Sequence, residues 1–256
     1  MGLFDKKYCD VCSERIGLLG NRKLEDGNLC KDCAKKLSPF FNERRRSTVS
    51  DIKEQLEYRE ENKASVSKFN ITRTLGMGTK VLLDEDAGKF IVTSARRWQE
   101  ENPDVLDFSQ VTGCNVDIDE DRTELKREGN DGKQIAYNPP RYIYSYNFTM
   151  TIHVNSPWFD EIRFRLNSST IEIESPAGRV WMQGGADVGR RSVEYRECEA
   201  LAEEIKEALM QVRQSARESI AAANTPKSVQ ICPLCGATTT PDASGRCEYC
   251  GGAMQG

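Results

Sequence analysis

Eight of the ten cysteines in this chain fall into four Cys-x-x-Cys pairs, two near each end. Cys9/Cys12 and Cys30/Cys33 lie at the N-terminal end, Cys232/Cys235 and Cys247/Cys250 at the C-terminal end. Seventeen residues separate the first two pairs and eleven the second two, lengths that suit a hairpin. Four thiolates close a tetrahedral zinc shell, so each end is predicted to fold around one structural Zn2+, two in all. Segments this short cannot hold a hydrophobic core unaided. A closed shell leaves no position for water or substrate, which marks both sites as structural rather than catalytic. A redox role would need a thioredoxin-like setting that the sequence lacks.

The pairs read as metal ligands rather than disulfides because the first ten residues lack the apolar core of a secretory signal. A cytoplasmic location is therefore expected. No window is apolar enough to span a membrane. Gly2 invites myristoylation, but Lys6 stands where Ser or Thr is wanted. The leftover Cys114 and Cys198 are expected as buried small hydrophobes. The 256 residues carry a net charge of −4, which argues against broad nucleic-acid binding. The charge is uneven: residues 1–50 hold eleven Lys/Arg against seven Asp/Glu.

Five segments are expected. Residues 1–46 form the first zinc module, in which Gly20-Asn21 and Asp26-Gly27 bracket a short hairpin and a helix after Cys33 stops before Pro39. Residues 47–67 form a connecting amphipathic helix with N-caps among Ser47, Thr48 and Ser50, Asp51 and Glu54 in its first turn, and an apolar side of Val49, Ile52, Leu56, Tyr58 and Ala64. Residues 68–215 read as a β domain with a closing helix. Strands are predicted at Thr79–Leu83, Lys89–Thr93 and Gln110–Ile118. The clearest is Tyr142–Val154, where Tyr142, Tyr144, Tyr146, Phe148, Met150, Ile152 and Val154 alternate with mainly polar residues. Ile162, Phe164 and Leu166, then Ile171 and Ile173, alternate likewise. The closing helix spans 192–215, with Tyr195, Cys198, Leu201, Ile205, Leu209 and Val212 on one stripe. Residues 216–230 read as a flexible linker, and 231–256 as a zinc ribbon whose Gly236 and Gly251 let the chain turn back. The fold class is α+β, mainly antiparallel, flanked by two four-cysteine modules.

The knuckle, hairpin and helix of the first module resemble a treble-clef zinc finger. The element order over 68–215 resembles the pleckstrin-homology and GRAM-like architecture, in which a C-terminal helix plugs the open end of a bent sheet. The whole arrangement resembles an uncharacterised bacterial family that opens with a four-cysteine module of the Cys9–Cys33 form, including Gly17-Leu18-Leu19-Gly20-Asn21-Arg22. That likeness is close over residues 6–46 and looser after. It implies zinc binding and a bacterial cytoplasm, with no activity attached.

His153 is the single histidine, expected as a strand residue, and no Ser-His-Asp set is evident. The chain is therefore expected not to be an enzyme. Asp117, Asp119, Asp121 and Glu128 mimic a calcium loop, but Arg122 replaces its glycine. Leu75–Lys80 is faintly like a phosphate loop and reads as a plain turn. Lys35, Lys36, Arg44, Arg45 and Arg46, beside Phe40 and Phe41, form a possible patch for an anionic partner. The function expected is a non-catalytic zinc-binding adaptor or scaffold with protein partners. Peripheral attachment to anionic lipid and nucleic-acid binding by the zinc modules are the alternatives.

Overall fold

A computed structural model describes residues 6–174, 189–224, 229–242 and 245–254. The chain divides into two compact units, residues 1–214 and 215–256. Every strand ladder among the described residues is antiparallel, and the architecture is mixed α and β.

The first unit opens with two small hairpins, β1 (Lys7–Tyr8) on β2 (Arg15–Ile16) and β3 (Arg22–Lys23) on β4 (Asn28–Leu29), followed by α1 (Lys31–Lys35). Their small core is Cys9, Ile16, Leu24, Leu29, Cys33 and Leu37, completed by Ile52 from α2 (Val49–Lys68). Helix α2 starts at a capping box. The Asp51 amide donates to Thr48 Oγ1 at 3.2 Å, and the Thr48 amide donates to Asp51 Oδ2 at 2.8 Å.

The buried stripe of α2 departs from the sequence reading. Ile52 faces inward, but Leu56 and Tyr58 are only half-buried and Ala64 is exposed. The buried positions are Ile52, Gln55, Arg59, Asn62 and Val66. These are helically spaced, and three of the five are polar. Arg59 Nη1 pairs with Asp104 Oδ1 at 2.8 Å, both side chains being nearly inaccessible. Ser38 Oγ donates to the other oxygen of Asp104 at 2.8 Å, and Arg59 Nε donates to the Lys36 carbonyl at 3.3 Å. Arg59 Nη2 donates to the Asn102 carbonyl. Asn62 Nδ2 donates to the Pro103 carbonyl at 2.7 Å, and its Oδ1 accepts from the Val105 amide at 3.0 Å. Asn102 sits in the left-handed region with φ 47°, and its side chain donates to the Arg59 carbonyl at 2.8 Å.

The β domain begins with a four-stranded meander: β5 (Arg73–Leu75), β6 (Lys80–Asp84), β7 (Lys89–Thr93) and, beyond α3 (Trp98–Glu101), β8 (Leu106–Asp107). Both faces of this sheet are covered. Leu82 and Ile91 pack with Val66 and Trp98 on one side, while Val81, Leu83, Phe90 and Val92 enter the main core on the other. The second sheet is built on β9 (Val111–Glu124), which runs six residues further than the sequence reading placed it, to a hairpin of β10 (Lys126–Glu128) and β11 (Gln134–Ala136). Central in it is β12 (Tyr142–Val154), flanked on one side by β9. Its other side pairs with β13 (Glu161–Arg165) and then β14 (Ile171–Glu174).

Between those two pairings the ladder is interrupted, and buried Asn167 fills the gap. Its Oδ1 accepts from the Phe148 amide at 2.8 Å, and its Nδ2 donates to the Tyr146 carbonyl at 3.3 Å. The alternation expected in β12 is present: Tyr144, Tyr146, Phe148, Met150, Ile152 and Val154 are buried, Tyr142 half-buried.

Helix α4 (Val193–Asn224) lays Tyr195, Ala202, Ile205, Ala208 and Leu209 into that core. The Tyr195 ring stands edge-on to Tyr146 and Phe148, at 5.1 and 4.9 Å between centroids. Where the chain enters the helix, any side chain at Gly189 would collide with the Tyr146 ring. Val212 belongs to the expected stripe but lies outside the described side chains, as residues 175–186 of the expected β domain lie outside the described residues. The expected linker from 216 is corrected: the helix runs on to Asn224.

In the second unit, β15 (Gln230–Ile231) pairs with β16 (Thr238–Thr239) around Cys232, Cys247 and Met254.

Breaking a buried ion pair from one side strands a charge. Arg59→Ala is expected to lower stability by about 3–5 kcal/mol, read by urea unfolding, while Arg59→Met combined with Asp104→Leu recovers much of that loss. Equal losses in the single and double variants would contradict a pair that acts as a unit.

Candidate metal centres

Each group of four cysteines brings its sulfurs together, all within 4.8 Å of one another. Four sulfurs about 2.3 Å from a shared zinc at tetrahedral angles stand about 3.8 Å apart. The contacts agree: Cys12 to Cys30 is 3.7 Å, Cys232 to Cys250 is 3.6 Å and Cys235 to Cys247 is 3.7 Å. None of the eight paired cysteines is tied up in a disulfide. The donor sets and spacings therefore fit two structural zinc ions.

Three of the four pairs sit on the same backbone turn. The amide of Cys9 donates to the Glu14 carbonyl (2.9 Å), that of Cys232 to Ala237 (2.8 Å) and that of Cys247 to Gly252 (2.8 Å). In each, the residue after the second cysteine donates back to the first: Ser13 to Cys9 at 2.8 Å, Gly236 to Cys232 at 2.9 Å, Gly251 to Cys247 at 2.8 Å. That residue must be left-handed, with φ of 63°, 73° and 70° respectively. Glycine takes this conformation freely, whereas Ser13 pays a steric cost. The fourth pair uses a helix start instead. Cys30 caps α1, its Sγ accepting from the Cys33 amide at 3.3 Å, and the Cys30 amide itself donates to Cys9 Sγ at 3.3 Å.

This backbone favours one thiolate per group and the other sulfurs oppose a second. Burial pushes Cys9 up, but the amides of Cys12, Cys30 and Val11 outweigh it and bring the thiol down to about 7. The amides of Cys235 and Leu234 bring Cys232 down to about 6. Burial, then the Cys12 and Cys30 thiols, push Cys33 up. At Cys235 the Ala237 amide pulls down, yet the neighbouring thiols and burial prevail and push it up to about 12. A divalent cation removes that opposition by deprotonating the thiols it binds.

The expected basic patch does not hold together. Lys35 pairs with Asp32 and Arg46 with Glu43, each at 3.7 Å. Lys36 faces a cleft shared with Glu57, Glu60 and Glu61. Arg44 and Arg45 instead line a cleft with Arg22 and Lys23, two residues the sequence reading did not single out as cations although their adjacency was visible.

The remaining candidates lie on strands, turns and the closing helix. Asp117, Asp119 and Asp121 alternate along β9 and Glu128 lies in β10, so they form no calcium loop. Residues 76–79 turn between β5 and β6. Asn115 Nδ2 lies 3.0 Å from His153 Nε2 across the β9–β12 ladder. Cys114 and Cys198 are half-buried rather than buried. A cleft of about 670 Å³ lies between α1 and the first sheet; Arg59, Lys35 and Glu101 are its charged lining. No helix among the described residues is long and apolar enough to cross a membrane.

Residues 7–55 match a family described as a domain of unknown function, DUF4428. The match ends just past Ile52, the α2 residue that completes the core of the module. No curated protein and no solved structure matches the chain.

Zinc must displace thiol protons, so its affinity falls as pH falls. The chain is expected to bind two zinc ions at neutral pH and to release both on acidification, followed with a chromogenic chelator. A stoichiometry of one or none would contradict the geometry. Ser13→Gly removes the left-handed strain at the first turn and is expected to stabilise the zinc-loaded chain by about 1 kcal/mol, read as a higher Tm.

Proposed function

We propose that this is a non-catalytic, zinc-folded adaptor of the bacterial cytoplasm, with a treble-clef-like first module, a pleckstrin-like β domain and a terminal zinc ribbon. Its β domain receives an extended protein segment along β14. One observation carries this reading: among the described residues, the outer edge of β14 has no strand partner. An exposed edge presents unpaired amides and carbonyls that an incoming strand can complete.

A cleft of about 570 Å³ runs beside that edge, between β14 and α4. Ile171, Ile173, Leu166, Leu201 and Cys198 give it an apolar floor. Glu172, Glu194 and Glu197 are its charged groups, and among the described residues no lysine or arginine lines it. The complementary occupant is an extended segment with alternating apolar side chains and at least one cation.

The pleckstrin-like reading is supported by two antiparallel sheets meeting one core that an amphipathic helix closes. The non-catalytic reading is supported by the closed four-thiolate shells. It is supported as well by the cleft between α1 and the first sheet, whose lining among the described residues offers no cysteine, histidine or tyrosine beside its buried arginine.

Selection of displayed peptides against the zinc-loaded full chain tests the proposal. Peptides combining alternating apolar residues with Lys or Arg should enrich, and Glu197→Lys, at an exposed position, should weaken their binding about tenfold. Peptides indifferent to Glu197→Lys and to Met77→Ser on the rim, or a selection that yields none, would remove β14 as the receiving edge.

A further inference from the structure

Residues Gly17–Gly20 make a tight turn closed by the Gly20 amide donating to the Gly17 carbonyl at 3.0 Å. Leu18 and Leu19 are its two central residues, and they are 92% and 89% exposed. Single exposed leucines are ordinary, but two adjacent ones at the tip of a turn form a protruding apolar wedge. The base of the wedge is fixed, since Ile16 is buried against Cys9, Leu24 and Leu29 in the zinc module's core. Of the apolar run Ile16, Leu18 and Leu19, only Ile16 turns inward.

Arg22 links this turn to a cluster of cations. Arg22 Nη1 reaches back to the Leu19 carbonyl at 3.4 Å. Arg22 and Lys23 share a cleft of about 580 Å³ with Arg44, Arg45, Asn21 and Glu25. Among the described residues none of these four cations makes an ion pair, in contrast to Arg46 and Lys35 close by. Arg44 Nε is buried without a hydrogen-bond partner. Burial, then Arg22 and Arg45, disfavour the charge on Arg44, and the attraction of an anion entering the cleft would offset that cost.

We propose that the zinc module docks on an anionic lipid surface, Leu18 and Leu19 entering the edge of the acyl layer while Arg22, Lys23, Arg44 and Arg45 meet headgroup phosphates. Lipid is the occupant that uses both halves of the surface. A nucleic acid or free phosphate would engage the cations and leave the leucines in water, since leucine has no π-face on which a base can stack. Charge complementarity also fixes which end approaches. Residues 1–50 carry eleven Lys/Arg against seven Asp/Glu, in a chain whose net charge is −4. Zinc with four thiolates still leaves that segment at about +2. Attachment by one wedge and a few cations is peripheral and reversible. The proposal is independent of the strand-edge reading of β14.

The test is sedimentation of the zinc-loaded full chain with vesicles of phosphatidylcholine alone, and of phosphatidylcholine mixed with phosphatidylglycerol. Binding to the mixed vesicles alone is expected. Arg44→Ala and Arg45→Ala should each weaken it about fivefold. Leu18→Ser combined with Leu19→Ser should weaken it at least about tenfold, with zinc content and Tm unchanged because both side chains lie outside the core. No sedimentation with the mixed vesicles would overturn the proposal. So would sedimentation indifferent to the leucine pair, or binding that inorganic phosphate or RNA abolishes in full, either of which would leave a bare phosphate site. Loss of a protein partner, but not of vesicles, in the leucine variant would reassign the turn to protein contact.

Discussion

The pairing of Arg59 with Asp104 is the contact on which the first unit is assembled. It joins three pieces that are distant in sequence: the segment leaving the first zinc module, at Lys36 and Ser38; the middle of α2; and the loop from Asn102 to Val105 that leads into β8. A charge taken out of water must find its partners in the fold, so this loop and this helix have one acceptable register. Burial pushes the Asp104 carboxyl up, and Arg59 and then Ser38 oppose that shift. Such a network specifies an arrangement more than it adds net stability. Gln55, one turn away and fully buried, shows the alternative: both its polar atoms lack partners among the described residues, so its contribution rests on packing alone.

What the sequence made legible was local. The metal groups are set by spacing, and the backbone turn that carries three of the cysteine pairs closes within six residues. The strand Tyr142–Val154 announces itself by alternation, because one face must be apolar wherever a core lies against it. The start of α2 was legible because the cap at Thr48 is satisfied by Asp51, three residues on. The pairing of Arg59 with Asp104 spans 45 positions, and no local pattern distinguishes a buried arginine from the exposed ones around it. Asn167 is equally silent in sequence; only the interrupted ladder makes its amide a substitute for backbone. The segment after 215 was misread for another reason. Its Ala, Ser and Asn composition suggested a linker, but Ala, Arg and Glu are strong helix formers and carry α4 to Asn224. The cleft that Arg44 and Arg45 share with Arg22 and Lys23 was not legible, since the β3–β4 hairpin is local but its seating, with the Glu25 amide donating to the Ser47 carbonyl at 3.0 Å, is not.

The two zinc groups share a donor set and differ in what surrounds them. In the first module the thiols sit in a core that borrows Ile52, and residues half-buried around it include Val49 and Leu56 of the same helix. The Asp26 carboxylate also accepts from the Val49 amide at 2.8 Å. The thiols of the first module and α2 therefore share one core, and Arg59 of the same helix reaches Asp104 ahead of β8. In the second unit the buried apolar residues around the metal group are Cys232, Cys247 and Met254, two of them ligands. Apolar burial of that size cannot offset the conformational entropy of ordering even a short segment, so the order of the ribbon is the order that the metal imposes. Among the described residues a hydrophobic neighbour supports the first site and the second has almost none. For that reason identical thiolate sets can be a reinforcement at one end of the chain and the whole of the fold at the other.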